Sequence, residues 1–325
     1  MTIAITGASG HIGACLSHLL VEKGYRVKAL VHKNLGGIKD LPIEFIWGDL
    51  MDEKVLDRLM DNVEVVIHLA ARVTLKVENG DMNLINADGT KLALEAAIRN
   101  KVRRFIHFST IHAFDPRPFG QVLDETRPLV QNSRYDYDKS KILSETYVQN
   151  ARQQGLETVI FSPTAVMGPF DFRPSVLGKA LIRFYNGKNP ALIPGGYNWV
   201  DVRDIASAAI SALDRGTPGE KYILSGQWIG ILQLAKTIEK LGGAKPPWFT
   251  SPFWLARLGA PFLNLHATIT GQEPIYTTVS LNTLKNSHRH ISADKAEAGL
   301  GYKARPFDDT LRDTIKWFQS IKMIS

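Results

Sequence analysis

The chain has 325 residues, 44% hydrophobic and 22% charged, enough apolar material for one large domain and a smaller lobe. Its formal net charge is +7, but the lysines and arginines are scattered without a run of five or six, which argues against a nucleic-acid partner. No stretch of about 18 apolar residues exists to span a bilayer, the single Cys15 cannot form an internal disulfide, and no charged segment followed by a long apolar one opens the chain, so a reducing cytoplasmic setting is expected.

The first element is an apolar strand, Ile3–Thr6, followed at once by Thr6-Gly7-Ala8-Ser9-Gly10-His11-Ile12-Gly13 and a helix over Ile12–Lys23. Three glycines at G-x-x-G-x-x-G spacing between strand and helix let the chain turn tightly. They also let backbone N–H groups approach a pyrophosphate at the positive end of the helix. The backbone of Gly7, Ser9, Gly10, His11, Ile12 and Gly13 is therefore assigned to a dinucleotide, with the His11 side chain facing solvent or capping the loop.

A second strand, Arg26–Val31, ends without the carboxylate that would hold the ribose hydroxyls of NAD; His32 and Lys33 stand there instead and suit a 2′-phosphate. After a third strand at Phe45–Trp47, Asp49 and Leu50 occupy a place where a carboxylate can accept from an adenine amino group. Asp52 fits better as the cap of a helix over Glu53–Met60. Further strands are expected at Val65–Leu69, Arg104–Ser109 and Thr158–Phe161, alternating with helices that include Leu84–Arg99 and Tyr137–Gln153. That order predicts an α/β fold, a doubly wound parallel sheet of Rossmann type.

The strand Arg104–Ser109 delivers Ser109 and Thr110 to the carboxyl edge of the sheet, where a hydroxyl can hold a substrate carbonyl. About 27 residues on, Tyr-x-x-x-Lys occurs twice, as Tyr135 with Lys139 and as Tyr137 with Lys141, each pair on one helix face. A phenol is a poor acid or base at neutral pH, and an adjacent ammonium is expected to favour its ionised form, so that it can exchange a proton with a substrate oxygen.

After Pro163, loop signals at Gly168-Pro169, Asn189-Pro190, Pro194-Gly195-Gly196, Pro218-Gly219 and Gly242-Gly243 mark a smaller lobe. The helix Val202–Leu213 and the strand Lys221–Leu224 return to the first. The expected division is a dinucleotide-binding domain at 1–163 with returns near 200–225, and a C-terminal substrate lobe at 164–199 and 226–325. Trp199, Trp248, Phe253 and Trp254 are read as core, with lining of an apolar pocket as the alternative. The stretch Phe253–Leu265 is read as a lid or core helix rather than a membrane-surface one. His288-Arg289-His290 lacks a nearby cysteine or spaced carboxylate and is read as a solvated loop, so no metal is expected.

Taken together, TGASGHIG, Gly48–Leu50, HLAA at His68–Ala71, NADGT at Asn86–Thr90, FST at Phe108–Thr110, YDKSK at Tyr137–Lys141 with Glu145, and SPTAVMGP at Ser162–Pro169 resemble the extended short-chain dehydrogenase/reductases, nearest the dihydroflavonol-4-reductase-like branch. The family pattern Y-x-x-S-K-x-x-x-E selects Tyr137, Ser140, Lys141 and Glu145. The resemblance implies Thr110, Tyr137 and Lys141 as the catalytic group, with Tyr137 and Lys141 also touching the cofactor. It places Ala70, Ala71 and Pro163 along the cofactor, and Asn86 in a structural role.

Two departures are Ser162, where many relatives carry arginine, and His32, where dihydroflavonol reductases carry the arginine for the 2′-phosphate. The expected function is NAD(P)-dependent reduction of a ketone, or oxidation of an alcohol, on a small to medium apolar molecule. NADP is the expected cofactor and NAD the alternative. A nucleotide-sugar epimerase or dehydratase, and a non-catalytic dinucleotide-binding regulator, are the competing readings. Relatives also imply a homodimer through the helices Leu84–Arg99 and Tyr137–Gln153.

Overall fold

Near-continuous runs of β-branched and aliphatic residues make the central strands, because both of their faces are covered by helices. In the computed structural model, which describes residues 1–72, 83–133, 135–258 and 278–325, seven such strands form one sheet. They are β1 (Thr2–Thr6), β2 (Arg26–Val31), β3 (Glu44–Trp47), β4 (Val65–His68), β5 (Arg104–Phe108), β6 (Glu157–Pro163) and, after a shorter strand β7 (Ala165–Met167) and a strand β8 (Gly196–Asp201) outside this sheet, β9 (Lys221–Leu224). The order is β3-β2-β1-β4-β5-β6-β9, every neighbouring pair parallel. The order in which successive strands are added reverses between β1 and β4, which opens a crevice at their carboxyl ends.

Helix α1 (His11–Glu22) packs against a later helix, Val202–Ser211, on one face; Leu16, Leu20, Ile205 and Ala209 are buried there with Ile5, Ile106 and Phe161 of the sheet. On the other face lie α2 (Glu53–Met60), α3 (Gly89–Arg99) and α4 (Asp136–Arg152), burying Leu56, Leu59, Leu94, Ala97 and Val148 against Val66, Phe105 and Ile160. Asp52 caps α2, accepting from the Lys54 N–H at 2.9 Å and the Val55 N–H at 3.4 Å. The helix expected from Leu84 begins instead with a wider π turn, Asn83–Asp88, before α3.

A three-stranded sheet joins β7, β8 and β10 (Gln227–Gly230), with β8 parallel to β7 and antiparallel to β10. It shares an apolar cluster with the helices Val176–Tyr185, Ile231–Lys240, Thr278–Lys285 and Phe307–Ser320, in which Trp199, Leu234, Leu281, Leu311 and Phe318 are buried. Phe253 packs against this cluster, whereas Trp248 and Trp254 are exposed, so those two tryptophans are not part of the core. Of the stretch Phe253–Leu265, only 253–258 falls within the described residues, and it is helical.

His288 is buried rather than solvated. Its ring stacks on Phe119 at 6.0 Å and its Nδ1 accepts from the His290 N–H at 3.2 Å, while Arg289 lies 4.6 Å over the Trp228 ring. Aromatic cover, invisible in the His-Arg-His triplet itself, accounts for the difference. No helix among the described residues is long and apolar enough to cross a membrane.

Candidate active site

The glycine loop forms because only glycine fits two of its positions. Gly7 has φ of +77°, and a Cβ there would lie 2.7 Å from the Ala70 nitrogen. A Cβ on Gly13 would lie 2.2 Å from the Gly7 carbonyl oxygen. Helix α1 starts from Gly10 with no side-chain cap and no acidic residue in its first turn, which leaves its N–H groups and positive end to an anion. Beside the loop, Leu69 donates its N–H to the Thr6 carbonyl at 3.0 Å and Ala70 its N–H to Thr6 Oγ1 at 3.3 Å, which sets Ala70 and Ala71 at the crevice. These residues fit a dinucleotide: the loop would take its pyrophosphate, with Ala70 and Ala71 alongside. The His11 ring does not face solvent, since its Nε2 donates to the Pro169 carbonyl at 2.9 Å and ties the loop to the strand end beyond β7.

At the outer strands, His32 and Lys33 are exposed just past β2, where Val31 is the last, buried residue. Asp49 follows β3; its Oδ1 accepts from the Met51 N–H at 2.9 Å and its Oδ2 lies 3.4 Å from His32 Nε2. The carboxylate therefore opposes part of whatever positive charge His32 carries. Leu50 packs over Gly89 at the start of α3.

Thr110 follows β5 and is buried, and its Oγ1 accepts from the His112 N–H at 3.3 Å. The Tyr137 side chain, in the first turn of α4, lies near the Thr110 side chain. Burial and the neighbouring Asp138 carboxylate push its phenol up to about 12, against the lowering influence of the nearby Thr110 side chain. The expected lowering by an adjacent ammonium is not what the structure shows. Lys141 is buried, and its Nζ donates instead to the Phe108 carbonyl at 2.7 Å. Burial pulls the Lys141 ammonium down to about 8 despite the Glu145 carboxylate.

Behind these groups lies a buried polar layer. Glu145 is fully buried and accepts from Ser109 Oγ and from Lys221 Nζ of β9. Lys221, which carries no motif signal, also sits 4.7 Å over the Phe114 ring. Asn86 clamps the backbone of residue 72, accepting from its N–H at 2.7 Å and donating to its carbonyl at 3.1 Å, and donates to Ser140 Oγ at 3.1 Å. His68 is hydrogen bonded to Thr6 Oγ1 at 2.8 Å and Thr90 Oγ1 at 3.0 Å, and burial with the Lys141 charge lowers it to about 3. The sequence motifs contain His68, Asn86, Thr90, Ser140 and Glu145, but their hydrogen-bonded network needs α3, α4 and the sheet together.

Tyr135 belongs to a different environment. It caps the start of α4, and its hydroxyl accepts from Asn282 Nδ2 at 3.0 Å, while Lys139 pairs with Asp136 at 3.1 Å. Pro163 ends β6 beside Leu224 of β9, so the carboxyl edge of one sheet gathers the glycine loop, Ala70, Ala71, Thr110 and Pro163, with Tyr137 and Lys141 reaching in from α4.

Comparison with known proteins agrees with this architecture. The chain is 29% identical to the sterol demethylase protein B of Methylococcus capsulatus, with all of both chains covered. It is 30% identical to a putative dihydroflavonol 4-reductase of Synechocystis over 97% of this chain and 94% of that one. The crystal structure of gox2253 superposes with a TM-score of 0.85 at 32% identity, over 100% of this chain and 99% of the other. Residues 3–225 match the family described as NAD dependent epimerase/dehydratase, and the chain belongs to that family, whose members include dihydroflavonol-reductase-like oxidoreductases.

Proposed function

We propose that the protein reduces a ketone, or oxidises the matching alcohol, on a small to medium apolar molecule, with Thr110, Tyr137 and Lys141 as its catalytic group. The observation that carries this reading is the placement of Tyr137 near Thr110 at the carboxyl edge of the sheet, with the buried Lys141 one turn further along α4. A bound nicotinamide supplies or accepts the hydride. Thr110 orients the carbonyl, and Tyr137, whose neutral phenol is the form that can donate, gives its proton to the carbonyl oxygen. Lys141 would hold the ribose of the bound nucleotide. The relative named for sterol demethylation favours an apolar substrate. The reading is tested by a turnover screen of apolar ketones and alcohols with both cofactors. Net, substrate-dependent change in nicotinamide absorbance supports it, and failure across the panel with intact cofactor binding counts against it.

The cofactor belongs to the same proposal. NADP(H) is expected to bind more tightly than NAD(H), because β2 ends without a carboxylate and Lys33 is free of the Asp49 contact that His32 makes. Lys33→Ala is expected to weaken NADP(H) about tenfold, the loss of one charge-assisted contact to phosphate, and to leave NAD(H) unchanged. Fluorescence titration of both cofactors decides the point; NAD(H) binding at least as tightly as NADP(H) would contradict it.

A further inference from the structure

We infer that the segment 245–258 is a membrane-docking surface that seats the protein on anionic lipid bilayers. The inference goes beyond the proposed reaction and does not depend on it.

Folded proteins seldom display large aromatic side chains in a row, and contiguous exposed apolar patches with a polar rim mark interaction surfaces. Here Trp248 is 96% exposed, Trp254 65% and Leu258 63%, with Phe249 and Leu255 exposed between them. The helical geometry of 253–258 sorts its residues. Phe253 and Ala256, three apart, pack inward on the second apolar cluster, while Trp254, Leu255, Arg257 and Leu258 are exposed. The segment is fixed rather than loosely attached: the Leu192 N–H donates to the Phe249 carbonyl at 3.0 Å, and the Ser251 N–H to the Leu192 carbonyl at 2.8 Å.

Charge selects the occupant. Lys240, Lys245 and Arg257 are exposed in this stretch, and no aspartate or glutamate occurs in the sequence between Glu239 and Glu273. Lys188 joins them from the adjoining loop, which the Ala244 N–H ties down by donating to the Tyr185 carbonyl at 2.8 Å. Tryptophan favours the headgroup boundary, where its apolar ring and N–H are both accommodated, and lysine and arginine are drawn to acidic headgroups. A rigid scaffold that holds two tryptophans and a leucine outward among exposed lysines and an arginine matches that boundary. An enzyme whose substrate is apolar would gain access there to molecules dissolved in the bilayer.

The test is vesicle flotation of the whole protein. Mixed phosphatidylcholine and phosphatidylglycerol vesicles are expected to carry the wild type, phosphatidylcholine alone far less, and high salt to release it. Trp248→Ala with Trp254→Ala is expected to lower partitioning by roughly tenfold or more, because the aromatic anchors are gone. Lys245→Glu with Arg257→Glu is expected to abolish the preference for the acidic lipid. All four side chains are exposed, so both variants should keep the wild-type circular dichroism and thermal midpoint, which are recorded alongside. Absence of wild-type flotation would overturn the inference, as would equal flotation of the tryptophan variant. Light scattering that shows a dimer dissolved by the same tryptophan changes, with no vesicle binding, would assign the patch to a second copy of the chain instead.

Discussion

Tyr137→Phe is expected to lower turnover by roughly 100-fold or more while cofactor affinity stays close to wild type, the signature of a lost general acid. The ring remains and only the hydroxyl goes. Its partner Thr110 keeps the His112 N–H as a neighbour, so the site should not collapse. Tyr135→Phe, two residues away, removes one hydrogen bond from Asn282 and nothing at the sheet edge. Such a bond contributes about 1 kcal/mol, so Tyr135→Phe should cost a little stability and change turnover only a few-fold. Tyr135 stands in extended backbone just before α4, with its hydroxyl on Asn282, so the two tyrosines cannot exchange roles. Steady-state kinetics on both variants reads the result. A dead Tyr135 variant with a near-normal Tyr137 variant would mean that the catalytic register is wrong, and Lys141 would lose its assignment with it.

Gly13→Ala is expected to be nearly as damaging, through binding rather than chemistry. The added methyl would sit 2.2 Å from the Gly7 carbonyl oxygen and 2.7 Å from the Ala8 Cα, both backbone atoms, so no side chain can rotate away. The turn between β1 and α1 must open, which spoils the loop that would hold the pyrophosphate. Cofactor affinity should fall by roughly 100-fold, and overpacking of this kind costs about 1–3 kcal/mol of stability. Gly120→Ala is the control, since a Cβ there meets nothing within 4 Å and both properties should be unchanged. Cofactor titration and thermal unfolding check the pair; a Gly13→Ala variant that binds cofactor normally would remove the glycine loop from the site.

Much of the main sheet is legible because its strands are local apolar runs. Arg26–Val31 and Lys221–Leu224 are strands over the spans that the sequence pattern predicts, and the other predicted strands differ only at their ends. The smaller sheet gives no such signal. β7 has three residues, β8 reads Gly-Tyr-Asn-Trp-Val-Asp and β10 reads Gln-Trp-Ile-Gly. These become strands only by pairing with one another across gaps of about 30 residues, which no local window contains. Within the site, spacing selects Tyr137 and Lys141 for one face of α4. The direction in which each pKa moves depends on burial supplied by the assembled fold, with Asp138 adding to the rise at Tyr137. Lys221 reaches Glu145 from a strand 76 residues further on, so its part in the buried layer is likewise tertiary.

The central claim is that this crevice carries out net hydride exchange with an apolar carbonyl, Tyr137 handling the proton. Its most direct measurement is mass spectrometry of products formed from cofactor deuterated at the nicotinamide C4, across a panel of apolar ketones, for the wild type and Tyr137→Phe. The account predicts deuterium on the new carbinol carbon, consumption of one cofactor per product, and near-complete loss of label transfer in the variant. Cofactor that stays bound and unconsumed while a nucleotide sugar is epimerised or dehydrated would contradict it, as would label transfer that survives Tyr137→Phe unchanged.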